Sequence, residues 1–116
     1  MADIGLPHVG DKNTDFQIVV EDTDVNGVTA ILNISGATTL QMFFRDPIGN
    51  TYGPFTASFL TTGVDGIMRY INSDPTGTGV NLNVGGFWTY WGKVIFSDGG
   101  EFTTSDNIVE VLDNAN

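Results

Sequence analysis

Apolar residues fall on every second position through much of this chain. Phe16, Ile18 and Val20 alternate with Gln17 and Glu21, which predicts a strand over 14–21 with one face in a core and one in water. The acidic stretch Glu21 to Gly27 then reads as a turn. Leu40, Met42 and Phe44 alternate with Gln41 and Arg45 in a strand that Asp46-Pro47-Ile48-Gly49-Asn50 ends, because Pro presets φ and Gly accepts positive φ. A hairpin partner is expected over 52–60, with Gly53-Pro54 marking an edge position or a bulge. Residues 66–71 form a further short strand.

The longest alternating run is 87–96. Trp88, Tyr90, Gly92, Val94 and Phe96 share one parity; Phe87, Thr89, Trp91, Lys93 and Ile95 share the other. Ser97-Asp98-Gly99-Gly100 reverses the chain into a closing strand over 101–111. Its parity slips between Phe102 and Val109, which predicts a bulge near Ser105-Asp106. Residues 72–85, rich in Gly, Asn and Thr, read as a long loop. No segment sustains helical apolar spacing, and about seven strands with regular turn signals predict an all-β antiparallel sandwich or small barrel. The expected organisation is an N-terminal arm over 1–13, one β domain over 14–111 and a frayed tail over 112–116.

Composition narrows the function classes. The 116 residues carry 14 acidic against 4 basic side chains, a formal charge of −10. Such a field repels phosphate backbones and anionic lipid, and Lys12, Arg45, Arg69 and Lys93 form no cluster, so neither nucleic acid nor a membrane is an expected partner. No cysteine is present, which removes disulfides, thiolate nucleophiles and thiolate metal sites. The N-terminal residues lack a basic segment followed by an apolar run, and no stretch approaches the ~20 apolar residues of a membrane helix. This reads as a protein made and kept without secretion signals.

Three motifs suggest chemistry and none completes it. Asp22-Thr23-Asp24-Val25-Asn26-Gly27 matches the first half of a calcium loop, but the twelfth position is Asn33 where a bidentate Glu is needed. His8 is the only histidine, which rules out a two-histidine zinc site. Asp65, Asp74, Asp98 and Asp106 all lie in predicted turns, where a carboxylate caps nearby amides. Catalytic, cofactor-binding and metal residues are therefore all expected to be none, and the chain is not read as an enzyme.

The aromatic residues point elsewhere. If Trp88 and Tyr90 face the core, then Phe87, Trp91 and Ile95 face outward, as does Phe43 on its own strand. An outward aromatic patch marks a partner-binding surface, with Phe43, Phe87, Trp91 and Ile95 as its residues. Cover by the loop 72–85 or by the N-terminal arm is the other reading of the same pattern. Parity alone predicts that Trp88→Ala costs about 3–5 kcal/mol and Trp91→Ala under about 1 kcal/mol.

The order of the pieces carries a resemblance. Val9-Gly10-Asp11, an acidic turn, Leu32-Asn33-Ile34-Ser35-Gly36-Ala37-Thr38 and Phe44-Arg45-Asp46-Pro47-Ile48-Gly49-Asn50 precede Asp65-Gly66-Ile67-Met68-Arg69-Tyr70. Gly86-Phe87-Trp88-Thr89-Tyr90-Trp91, Ser97-Asp98-Gly99-Gly100 and Val109-Glu110-Val111 complete the series. This order, over residues 9–111, resembles the immunoglobulin-like N-terminal domain of phage baseplate upper proteins. The resemblance implies an immunoglobulin-like β-sandwich with no catalytic residues, located in a tailed-phage virion and docked on a larger virion protein. Those proteins continue into a linker and a receptor-binding-protein attachment region where this chain stops, so capsid decoration, neck or tail accessory roles are expected equally. A homo-oligomer is compatible with such a role. A carbohydrate-binding module that stacks sugars on Trp91 and Phe87 is the alternative of a different class.

Overall fold

The computed structural model describes residues 7–9, 14–72 and 80–112. These form ten strands and no helix: β1 (Asp15–Val19), β2 (Glu21–Thr23), β3 (Thr29–Ile31), β4 (Ala37–Arg45), β5 (Thr51–Thr56), β6 (Ser58–Phe59), β7 (Ile67–Ile71), β8 (Gly86–Phe96), β9 (Glu101–Thr103) and β10 (Asn107–Val111). One antiparallel sheet runs β10-β8-β4-β5, with β9 also paired to β8; a second runs β1-β7-β6; β2 and β3 make a separate hairpin. The count exceeds the expected seven because the stretches expected over 52–60 and 101–111 are each divided in two, and because β1 runs on into a hairpin, β2 and β3, where a turn is expected.

The first division is at Ala57. Its amide donates to the Leu40 carbonyl at 2.9 Å, still within the first sheet. Two residues later Phe59 pairs with Met68 in the second sheet. The expected strand 52–60 thus crosses from one sheet to the other. Its first part, β5, is an edge strand, where the missing N–H of Pro54 breaks no internal ladder, and the β4 register shifts opposite it between Met42 and Phe44.

The second division is in the closing strand. β9 pairs with Lys93–Ile95 and β10 with Gly86–Tyr90, and the register slips by one residue between them. Thr104 fills the gap: its amide donates to the Gly92 carbonyl at 2.9 Å, and its hydroxyl accepts from the Gly92 amide at 2.8 Å. The interruption covers Thr104–Asp106 and so includes the bulge expected near Ser105-Asp106.

The third division was not anticipated. β1 continues through Val20 into β2, and β2 pairs with β3 as Glu21↔Ile31, Asp22↔Ala30 and Thr23↔Thr29. The turn therefore lies at Asp24–Val28 rather than over Glu21–Gly27, with the Asp24 carbonyl accepting from Gly27 at 3.0 Å. All of residues 21–31 are exposed, so the hairpin projects from the body. Its root is fixed, because the Val20 amide donates to Gly66 at 2.7 Å and the Leu32 amide to Val20 at 2.9 Å.

The two sheets face each other through one parity of each strand. Leu40, Met42 and Phe44 of β4 and Trp88 and Val94 of β8 are buried against Phe16 and Ile18 of β1 and Met68 of β7. The Phe16 ring meets Phe44 at 4.8 Å and Tyr90 at 5.5 Å, both edge to face. Burying each such side chain contributes about 1.5–3 kcal/mol. The described part of the 72–85 segment joins this core: Val80 and Leu82 are buried, the Val80 amide donates to the Tyr70 hydroxyl at 3.1 Å, and the Trp88 indole donates to Val84 at 2.9 Å. The N-terminal arm and the C-terminal tail are described only at 7–9 and at Leu112, where they pair: Val9 donates to Leu112 and Leu112 to Pro7, each at 2.9 Å.

Candidate functional site

The outward face of the five-stranded sheet is built by the parity of β8 opposite to its core residues. Phe87, Thr89, Trp91, Lys93 and Ile95 stand on it. Across from them lie Gln41, Phe43 and Arg45 of β4, Glu101 and Thr103 of β9, and Ile108 and Glu110 of β10. At its centre Phe43 is directly opposite Trp91, and the two rings are within 7° of parallel with centroids 5.6 Å apart. The Arg45 guanidinium lies over the same indole, 5.2 Å from its centroid. Gly53 lets the β5 backbone close on this group, since a Cβ there would stand 3.1 Å from the Phe43 ring.

The ends of the face differ. Towards β10, Phe87 is 64% exposed and Ile108 is 70% exposed. Phe87 pairs with Glu110 and Ile108 with Thr89, so the two apolar side chains are diagonal neighbours. Towards β9, Ile95 is half-buried and Lys93 Nζ bonds Glu101 Oε1 at 3.0 Å. Phe87, Trp91 and Ile95 are four residues apart along one strand, about 13 Å between neighbours.

All four residues singled out by parity stand on this face. Phe43 and Trp91 are brought into contact and are half-buried; Phe87 is exposed; Ile95 is separated from the ring pair by Lys93. Two members were missed. Arg45 shares the parity of Phe43, and that signal alone places it on this face. Ile108 shares the parity of Glu110, and the bulge before β10 hid that relation.

Asp24, Asp46, Asp65 and Asp98 accept amides of the turns they stand in, and Asp74 lies outside the described residues. Asp46 is buried, and its Oδ1 accepts from the amides of Ile48, Gly49 and Asn50 at 3.0, 2.8 and 2.8 Å. Its Oδ2 accepts from the Asn50 side chain at 3.1 Å and from the Tyr52 hydroxyl at 2.9 Å. Burial pushes this carboxyl up, but the bonds from Asn50, Tyr52 and Gly49 outweigh it and hold it below the ordinary carboxylate range. The same contact with Asp46 holds the Tyr52 phenol above its usual value. Asp24 Oδ1 accepts from the Asn26 and Val28 amides at 2.8 and 3.0 Å, which makes it the cap of the hairpin turn.

Among the described residues no three His, Cys, Asp or Glu side chains gather as a metal set would. A groove of about 430 Å³ opens between the start of β4 and the crossing at Ala57, and its lining, including Thr39, Leu40, Thr56 and Phe59, holds no titratable side chain. Comparison with protein-family models, with curated proteins and with solved structures finds no match to this chain.

Proposed function

We propose that this chain is an immunoglobulin-like β-sandwich that serves a tailed-phage virion as a non-enzymatic structural part, joined to other virion proteins through the outward face of its five-stranded sheet. Three features of the chain support the fold reading: two antiparallel sheets with facing aromatic cores, a strand that switches sheets at Ala57, and a buried Trp88 at their centre. The virion location and docking on a larger virion protein are what the resemblance of the motif order over 9–111 implies.

The observation that carries the interface reading is the side-by-side exposure of Phe87 and Ile108 on the face that holds the Phe43–Trp91 pair. Large apolar side chains gathered at one end of an otherwise well-packed sheet mark a surface that another protein covers. The state of Trp91 favours protein over sugar as the partner, because its indole is already engaged by Phe43 and Arg45 instead of standing as a bare platform.

Particles purified from the organism that carries the gene test this reading. Mass spectrometry is expected to find the chain in them at a fixed ratio to a major structural protein, with gold-labelled antibody at one place on the particle. Particles that lack it refute the virion role. Retention on a glycan array that Trp91→Ala abolishes would establish the carbohydrate module instead.

A further inference from the structure

The charges on the outward face are distributed unlike those of the rest of the chain. Arg45 and Lys93, two of the four cations, stand there with Glu101 and Glu110, two of the fourteen carboxylates. The face is neutral, and the rest of the chain holds the whole excess of −10. Two copies of so acidic a chain repel one another over most of their surface, and a neutral face is where they can approach. The outer face of β1-β7-β6, where Arg69 pairs with Asp15, is neutral too, but it lacks the aromatic pair and the strongly exposed Phe87 and Ile108. On the face of β10-β8-β4-β5 each copy offers both signs, so the cations of one can meet the carboxylates of the other.

Its size and chemistry fit the same occupant. The strands of this sheet, at ~3.3 Å rise and ~4.8 Å spacing, cover on the order of 540 Å², the footprint of a small interface, below the ~800 Å² per partner of a standard one. The ring pair sits at the centre with polar residues around it, and Phe87 and Ile108 supply exposed apolar area. We propose that the outward face of β10-β8-β4-β5 is a self-complementary dimer interface, occupied by the same face of a second copy. This rests on reading the face as a protein interface, and it does not depend on the virion location.

The full chain is examined by sedimentation velocity from about 5 to about 500 μM. The expected result is a concentration-dependent rise from 12.4 kDa to twice that mass. It tightens when salt is raised, because screening relieves the net repulsion between two chains that each carry a formal charge of −10. Phe87→Ser with Ile108→Ser is expected to weaken dimerisation at least about thirtyfold. Val25→Ser, which removes the most exposed apolar side chain on the projecting hairpin, is expected to leave it unchanged.

Should the double variant fail to fold, a spin label on Thr89→Cys decides the matter in the otherwise wild-type chain, which has no other cysteine. Thr89 stands between Phe87 and Trp91, so two labels across the dimer are expected at short range, and labels at Val25→Cys farther apart. A mass of one copy at every concentration overturns the proposal. So does a dimer that survives the double variant, or one that Val25→Ser dissolves equally. A single-copy chain that nevertheless binds particles would refute the dimer and leave the virion reading standing.

Discussion

Gly92 lies against Met68 with no room for a methyl group between the sheets: a Cβ on Gly92 would stand 2.8 Å from Met68 Sδ and 3.4 Å from Ile18 Cδ1. This glycine sets how closely β8 approaches the opposite sheet. Its amide and carbonyl are also the groups that Thr104 bonds. Gly92→Ala is expected to cost about 1 kcal/mol, because the Met68 thioether can swing aside, and Gly92→Val about 2–3 kcal/mol. Urea melts check both, and equal stability of the two variants would show that the sheets separate freely here.

The two tryptophans of β8 are expected to differ in stability. Trp88 is buried with its indole bonded to Val84, so Trp88→Ala leaves a cavity and an unpaired carbonyl at about 3–5 kcal/mol. Trp91→Ala is expected to cost about 1–2 kcal/mol, from the ring contact with Phe43 and the guanidinium of Arg45. Parity alone suggested less than this, since it places Trp91 outward without showing what it touches there. A double-mutant cycle on Phe43 and Trp91 is expected to give a coupling of about 0.5–1.5 kcal/mol.

Asp46 and Tyr52 make the β4–β5 turn sensitive at both ends of the pH scale. The folded Asp46 pKa lies below its unfolded value, so its stabilisation is present above about pH 4 and is lost as pH falls through the folded pKa. The folded Tyr52 pKa lies above its unfolded value, so its share is present below about pH 10 and is lost as pH rises through the folded pKa. Thermal melts of Asp46→Asn across pH are expected to show a lower plateau with both limbs flattened. Limbs as steep as in the wild type would assign the pH dependence to other groups.

Calcium is expected to leave the melting temperature unchanged. Asp24 Oδ1 already accepts two backbone amides, and Asp22 and Asn33 lie at different places in the fold, on β2 and beyond the end of β3. A rise of several degrees that a chelator reverses would show that the hairpin turn rearranges around the ion.

Period-two alternation made the core legible wherever a strand has one face in water and one in the interior. Phe16, Ile18 and Val20, Leu40, Met42 and Phe44, and Trp88 and Val94 are all buried as parity requires. The same signal is silent for β2 and β3, since both faces of that hairpin are exposed and nothing selects apolar residues at alternate positions. It also fails for Val80 and Leu82, which reach the core from a segment without strand structure, where burial follows tertiary packing and not a period. For the outward face, parity located Phe43, Phe87, Trp91 and Ile95. Parity also places Arg45 beside Phe43, but it cannot show the pairing across strands that makes Ile108 a neighbour of Phe87.

The passage of β1 into β2 through Val20 divides the chain into two tiers of local stability. Below Val20 the strand is hydrogen-bonded inside the second sheet; above it the ribbon is secured at its base by Val20, Gly66 and Leu32 and by its own short ladder. A two-stranded ribbon with no apolar face against anything opens at little expense in free energy, whereas the body opens only by losing its core. Amides over 22–30 therefore exchange with solvent through frequent local fraying, while those of Met42 and Val94 wait for global unfolding. Gly66, where a Cβ would fall 2.5 Å from Ile31 Cγ2, marks the hinge line between the two regimes.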